Sequence, residues 1–490
     1  MSLTPDKNAS WPVPEHRDLY YGGGWRKARG GMQSTFNPAS GRALTEVAVA
    51  NSEDVDAAVQ AAQQGFKSWS GVNNIERGRM LREIAQRLRA NADELAWLDS
   101  INTGNPIREM IKDIGFAAAH LDYYSGFVHE LKGETIPTAD GGLNYTMREP
   151  LGVVVRIAAY NHPLMFTAAK LAPVLAAGNS VVVKAASQAP LSSLRMAEII
   201  DGVLPAGVFN LVTGDRECGD ALVRHPLVKK VALIGSIETG VAILRSAADK
   251  IMPVTLELGG KNPLVICADA PVDNAVLAAI QGMNFTWAGQ SCGSTSRCFV
   301  HASLYDEVIS GICKLLPQLH QCGTPTDPAT TMGSLISQAH FDKVMRYIDL
   351  AGYEGARLVT GGKRPADPAL ASGWFVEPTV FVDVTRDMRI FREEVFGPVL
   401  SIIKWDDEEQ LLADINSVEY GLTASIYTQH LATAHRLAKR VESGYVWINT
   451  TGAHYLGVPF GGYKKSGMGR EEGFEELLSY TQIKNVHVAL

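Results

Sequence analysis

GVVVRI at Gly152–Ile157 and SVVVK at Ser180–Lys184 are short, β-branched runs bounded by turn residues. They are too short for buried helices and read as fully buried strands. Between them Pro163–Ala177 has the pattern of a helix, closed by Gly178-Asn179. Leu191–Val203 predicts a second helix, Val208–Val212 a third strand, VALIG at Val231–Gly235 a fourth, and Thr239–Ala248 a further helix. Apolar strands alternating with helices specify a parallel sheet covered on both faces. The fold class is α/β, with a Rossmann-like, doubly wound unit whose ligands sit at the carboxyl ends of the strands.

Working outward, Ser52–Ser70 and Ile75–Ser100 read as amphipathic helices, the second from Met80, Leu81, Ile84, Leu88, Leu95 and Leu98 at helical spacing. The first 18 or so residues are polar and punctuated by proline, and are expected to be poorly ordered. Downstream, Leu256–Gly260 leads into a second α/β region with strands near Leu264–Ile266, Ser296–Val300 and Val399–Ile403. Tyr445–Asn449 predicts a strand entering a Gly-rich loop. The tail LSYTQIKNVHVAL (Leu478–Leu490) is β-prone and a candidate for pairing with another subunit. There is no internal repeat and no low-complexity segment.

The 490 residues suffice for about two to four domains. With 46% hydrophobic and 20% charged residues the chain can bury large cores. A net charge of -7 argues against a nucleic-acid binder, which would carry a basic footprint. Six cysteines without a CxxC pair make neither a disulfide framework nor a zinc site, so no metal is expected. The N-terminus lacks the apolar core of a signal peptide, and no apolar stretch reaches the ~20 residues of a membrane span. Asn8-Ala9-Ser10 and Asn449-Thr450-Thr451 match the glycosylation triplet, but by chance in a chain without a secretion signal. A reducing, cytoplasmic setting is expected, and it suits a protein that needs a free thiol.

Four patterns could carry chemistry. Gly289-Gln290-Ser291-Cys292 presents a thiol between Gly289 and Gly293, which would let a substrate approach the backbone. A thiol is a strong nucleophile once ionised; taken alone, such a cysteine is more often a small core residue. Glu257-Leu258-Gly259-Gly260-Lys261 places a carboxylate beside two glycines, where it could swing and act as a base on water. The plainer reading is a solvated turn. Gly235-Ser236-Ile237-Glu238-Thr239-Gly240 joins a strand to a helix whose first N–H groups favour a phosphate, or is an ordinary strand–helix turn. Asn161 follows the first strand and could donate to a developing oxyanion, or cap the next helix.

Together these patterns are specific. The order Tyr160-Asn161-His162-Pro163, Lys184, Gly235–Gly240, Glu257–Lys261, Gly289–Cys292, Glu394-Val395-Phe396-Gly397-Pro398 and Pro459-Phe460-Gly461-Gly462 resembles the aldehyde dehydrogenase superfamily, from about Leu19 to the C-terminus. The resemblance implies that Cys292 is the nucleophile, that Asn161 and the Cys292 N–H hold the oxyanion, and that Glu257 activates the hydrolytic water. Lys170 and Glu471 match residues linked to Glu257 in a proton relay. Lys184 matches the lysine on the adenosine ribose, and Ser236, with Gly235 and Gly240, the pyrophosphate turn. Glu394, beside Phe396, matches the carboxylate on the nicotinamide ribose. The implied activity is oxidation of a small-molecule aldehyde to the acid with NAD or NADP, through a thiohemiacetal and a thioester on Cys292.

Two departures from the family pattern bear on specificity. The usual Lys-Pro-Ser-Glu reads Lys184-Ala185-Ala186-Ser187. Ser187 removes the carboxylate that repels a 2′-phosphate and adds a donor, so NADP is expected to be accepted. In Ala159-Tyr160-Asn161-His162-Pro163, His162 replaces an aromatic residue of the substrate tunnel. Ala169 stands where many relatives place Trp, which leaves room for a bulky aldehyde. His454, Tyr455 and Phe460 are the other expected tunnel residues, and no Arg is placed to grip a substrate carboxylate.

A CoA-acylating relative is the rival enzyme reading, but such relatives generally lack the Glu at position 257. A non-catalytic protein on the same scaffold could have lost Cys292 or Glu257. A thiol hydrolase leaves Lys184, Glu394 and the Gly235–Gly240 turn unexplained. The implied architecture has a cofactor domain (1–121 and 149–257), a catalytic domain (258–446), an active-site loop region (447–473) and a small β-rich oligomerisation element (122–148 with 474–490). A homodimer or homotetramer is expected.

Overall fold

A computed structural model describes residues 10–489. Five parallel strands form the middle of an eight-stranded sheet. Across it they run Phe209–Val212, Ser180–Lys184, Val153–Ile157, Val228–Ile234 and Val254–Glu257. In chain order that is third, second, first, fourth and fifth. The winding therefore reverses between Val153–Ile157 and Val228–Ile234, and a crevice opens beyond their carboxyl ends. Val153, Val154, Val155, Val181 and Val182 are fully buried, as the unbroken apolar runs require.

Antiparallel additions close both edges. Leu19–Tyr20 pairs with the Phe209 strand and carries Trp25–Arg26 outside it. At the other edge Gly467–Met468 pairs with Leu256 and Glu257. Gly467 has φ 142°, and a Cβ there would lie 2.0 Å from the Leu256 carbonyl oxygen, so only glycine brings this late loop against the end of the Glu257 strand. The second sheet has seven strands, in the order Arg357–Thr360, Thr379–Val382, Val399–Trp405, Arg297–His301, Pro263–Ile266, Thr423–Tyr427 and Tyr445–Ile448. All its pairings are parallel except that of Arg357–Thr360.

Two expected helices are each broken. Ile75–Ser100 is resolved into Asn74–Ala90 and Ala92–Thr103. Asn91 leaves helical geometry and its amide donates to the Arg87 carbonyl at 2.8 Å, a local bond that competes with the helix. Both halves bury the same side, so the periodicity runs on unbroken. Pro163–Ala177 is likewise Pro163–Ala168 and Leu171–Ala176. Pro173 has no N–H to give the Ala169 carbonyl and its ring crowds that carbonyl, so the interruption falls at Ala169-Lys170.

Poor order does not describe the start of the chain from Ser10 on. Trp11 packs 6.1 Å from Trp97, His16 stacks on Trp25 at 4.7 Å, and the His16 N–H donates to Glu198 at 2.7 Å. Residues 1–9, and Asn8 of the first glycosylation triplet with them, lie outside the described residues. The tail forms the strand Thr481–Val488, and its partner is in its own chain: it pairs antiparallel with Leu143–Pro150 over eight residues. Leu143, Met147, Ile483 and Val488 remain exposed on this ribbon.

Asn179 ties the two regions together. Its Oδ1 accepts from the Gly152 N–H and its Nδ2 donates to the Tyr480 carbonyl, both at 2.9 Å, with the residue fully buried. Asn179→Ala should lower stability by on the order of 2–3 kcal/mol, because it strands buried partners. Thermal denaturation reads this as a lower midpoint, and an unchanged midpoint would remove Asn179 from the frame.

Candidate active site

Cys292 sits on the loop before the Arg297 strand and faces the cleft between the two sheets. Asn262 shapes that loop: its Nδ2 donates to the carbonyls of Cys292 at 2.7 Å and Ser294 at 3.0 Å. Glu257 ends the Val254 strand, 4% exposed, and shares a cavity wall with the Cys292 thiol. Burial first, then the charge of Glu471, pushes Glu257 up to about 8. Burial and the Glu257 charge hold the Cys292 thiol well above its ordinary range. The Cys292 thiol is thus held neutral beside a buried carboxyl.

The glycines around this pair act differently from the expectation. A Cβ on Gly289 would lie 2.1 Å from the Gly397 carbonyl oxygen, so Gly289 makes room for the Glu394–Pro398 loop and not for substrate. Gly293 meets only the Ser291 hydroxyl at 3.8 Å and does line the cavity. A Cβ on Gly259 would lie 2.1 Å from a Glu394 carboxylate oxygen, and one on Gly260 would lie 2.6 Å from the Cys292 carbonyl oxygen. These glycines admit neighbouring groups; they do not free Glu257 to swing.

Asn161 is buried beyond the end of the Val153 strand, and its carbonyl accepts from Asn105 Nδ2 at 2.9 Å. The next helix is capped at His162 without a side-chain bond, so Asn161 is not a helix cap. Asn161, Glu257 and Cys292 share the wall of one cavity. Lys170 and Glu471 are not solvated: both are buried and paired at 3.0 Å. Burial opposes the Lys170 charge, but Glu471 and Glu476 raise it above its ordinary value. Arg156 completes the group, donating to Glu471 at 3.0 Å and to the Tyr480 hydroxyl at 2.6 Å.

On one side of Cys292 the crevice at the switch point opens into a cavity of about 380 Å³, lined by Lys184, Ser187, Gly235, Ser236, Glu394 and Phe396. It adjoins one of about 800 Å³ that Lys184 and Ser187 also line, with Arg216. Ser187 donates its proton to the Gly214 carbonyl and accepts from Lys184 Nζ at 3.2 Å, so the extra donor expected of Ser187 is already engaged. Ser236 caps the helix Ile237–Ala248 by accepting from the Thr239 N–H at 3.2 Å. Gly240 is closed against Leu258, whose Cδ1 would lie 2.7 Å from an added Cβ. Glu394 accepts from the Gly260 N–H at 2.9 Å, and burial pushes it up to about 7. Phe396 is held at φ 57°.

On the other side a cavity of about 270 Å³ leads from Cys292 and Glu257 outward. His162, Ala169, His454 and Phe460 line it, whereas Tyr455 is 59% exposed and takes no part in the wall. The wall also holds Asp113, Phe116, Trp287, Trp447 and Glu472, which sequence reasoning missed. Asp113 had no visible signal, since a charged residue on a helix reads as solvated. Arg156 did have one: it is the charged residue inside GVVVRI. Among the described residues no helix is long and apolar enough to cross a membrane.

Comparison with known proteins agrees with this geometry. The aldehyde dehydrogenase family model matches residues 25–486. The aldehyde dehydrogenase tropH of Talaromyces stipitatus is 49% identical over 98% of this chain and 94% of its own length. The NAD+ complex of an aldehyde dehydrogenase from Bacillus cereus superposes with a TM-score of 0.93 at 38% identity, covering 97% of this chain and 96% of that one. PnpE of Pseudomonas sp. WBC-3, solved with nicotinamide adenine dinucleotide, has a TM-score of 0.94 at 40% identity, covering 97% and 98%. The chain belongs to the aldehyde dehydrogenase family and is an NAD(P)-dependent aldehyde dehydrogenase.

Proposed function

We propose that the chain oxidises an aldehyde to the free acid through a thiohemiacetal and a thioester on Cys292. The observation that carries this is the placing of the Cys292 thiol and the buried Glu257 carboxyl together on the walls of both cavities, where the two meet. Ionised Glu257 takes the thiol proton as sulfur adds to the carbonyl carbon. The Asn161 amide and the Cys292 N–H steady the resulting oxyanion. Bound NAD(P) supplies the hydride acceptor that converts this adduct to the thioester. Glu257 gives up the thiol proton to solvent before the second half, then takes one from water as the water oxygen adds to the thioester carbon, and the C–S bond breaks with a proton returned to sulfur. Lys170 and Glu471 set the charge around Glu257.

The donor set fits the cofactor. Lys184 and Ser187 supply an ammonium and a hydroxyl for the adenosine side. Gly235 and Ser236 offer the start of a 12-residue helix to a pyrophosphate, while Gly240 packs that helix against Leu258. Glu394 and Phe396 face the nicotinamide end. Position 187 carries no carboxylate, Lys184 Nζ reaches it, and Arg216 lines the adjoining cavity, so NADP is accepted alongside NAD. The presence of Glu257 favours hydrolysis over transfer to CoA. Six unpaired cysteines suit a reducing, cytoplasmic setting. The exposed apolar side chains of the Leu143–Pro150 and Thr481–Val488 ribbon suit assembly as a homodimer or homotetramer.

Cys292→Ala should abolish oxidation, and steady-state turnover by that variant would refute the nucleophile. Glu257→Gln should lower kcat by about 10²–10⁴-fold while releasing at most one equivalent of reduced cofactor, with an acyl group detectable on Cys292 by mass spectrometry. Because the base must be ionised and burial raises Glu257 to about 8, kcat should climb as pH rises through that value. A profile flat from pH 6 to 9 would contradict this. Ser187→Glu should lower the NADP-to-NAD ratio of kcat/KM by about 10²-fold through like-charge repulsion; an unchanged ratio would remove Ser187 from the discrimination.

A further inference from the structure

The outer cavity carries a polar pair that the oxidation chemistry does not use. His162 Nδ1 lies 2.7 Å from Asp113 Oδ2, with side chains 13% and 10% exposed, and both residues line the wall. An ionised carboxylate only accepts, so Asp113 holds the proton on Nδ1 and leaves Nε2 of the neutral ring as an acceptor. Behind them Asp99, buried against the Leu164 N–H, is pushed up to about 7 by burial and takes no part in the cavity wall. Aromatic planes flank the imidazole. Phe166 meets it edge-on at 5.4 Å between centroids and Trp287 lies tilted at 5.5 Å. The indole N–H of Trp287 is buried without a partner among the described residues. The wall therefore offers one acceptor, Nε2 of His162, between two rings.

The charge balance disfavours charged substrates, since Asp113 is bonded to His162 and Glu472 to His454. Lys170 is committed to Glu471 and Lys112 is bonded to Glu109 at 2.8 Å, while Asp113 and Glu472 remain on the wall. A substrate carboxylate would meet no free cation. A cationic substrate would find Asp113 already bonded to His162. A hydroxyl can donate to Nε2, as a carboxylate or an ether cannot. A cavity of about 150 Å³ already holds benzene, so 270 Å³ has room for one ring with substituents.

We propose that this enzyme takes hydroxylated aromatic aldehydes of a single ring, and that His162, positioned by Asp113, determines that specificity by accepting a hydrogen bond from the ring hydroxyl. The inference rests on the reading of Cys292 as the nucleophile, which places the aldehyde carbon at the inner end of the same cavity. His162 then acts on the far side of the ring, away from the reacting bond.

The test compares kcat/KM for 3- and 4-hydroxybenzaldehyde, benzaldehyde and the methoxybenzaldehydes. At least one hydroxyl isomer should exceed both benzaldehyde and its own methyl ether by about 10-fold or more, since a site built around a hydroxyl leaves its polar groups unpaired with the analogue. His162→Phe should bring that ratio to about 1. Asp113→Ala should lower the ratio of kcat/KM for the hydroxylated ring to that for benzaldehyde about 10-fold, carried by KM for the hydroxylated ring, and Asp113→Asn should restore part of that ratio. Ratios taken on one preparation cancel any loss of folded protein. Equal efficiency with and without the hydroxyl, a preference that survives His162→Phe, or a larger kcat/KM for an amino or dicarboxylic aldehyde would each overturn the proposal while leaving the Cys292 reading intact. Failure to oxidise any aldehyde would overturn both.

Discussion

Four charges buried together organise this active site. Arg156, Lys170, Glu471 and Glu476 come from the first strand of the cofactor sheet, the broken helix and the last stretch of chain. Removing any one from water alone would cost several kcal/mol. Two positive and two negative groups within 4 Å of one another offset that cost, but only if all three segments arrive together. The C-terminal loop is therefore held against the sheet by charge as well as by the Gly467 pairing. Glu471, brought in this way, repels the charge on Glu257, and Lys170 partly offsets it. The carboxyl that faces Cys292 is tuned by groups that lie 87 and 214 residues away in the chain.

Much of the central sheet was legible because parallel strands buried on both faces need unbroken apolar runs, and GVVVRI, SVVVK and VALIG have no other economical reading. The edge ribbons were not legible. Two-residue strands such as Leu19–Tyr20 and Gly467–Met468 carry no periodicity, and they form because a sheet edge is present to receive them. Helix breaks failed for a related reason. Apolar spacing reports which side is buried, and the two halves on either side of Asn91 bury the same side. The break at Ala169-Lys170 did have a signal in Pro173, four residues beyond the lost carbonyl.

At the site itself, residue types were readable and their uses less so. Gly289, Gly259 and Gly260 suggested room for substrate and motion, yet their missing Cβ atoms admit Gly397, Glu394 and the Cys292 loop. A glycine in a sequence states that something approaches closely without naming what. Tyr455 lies close in sequence to His454 and points elsewhere, since a loop has no fixed period to assign sides. His162 was noticed only as a departure, and its partner Asp113 is 49 residues away on a helix, where no local pattern joins them.

The chemistry of Cys292 follows from the same burial. A thiolate exposed in a cleft reacts with oxidants as readily as with aldehydes. Here no cation stands beside the sulfur; desolvation and the neighbouring carboxyl keep it protonated. That would make a poor nucleophile were it not that desolvation also raises the proton acceptor next to it to about 8. Both groups are shifted in the same direction by the same environment, and they share one cavity wall. On the role proposed for Cys292, the nucleophile forms only when a carbonyl is present to consume it, and the sulfur otherwise stays neutral.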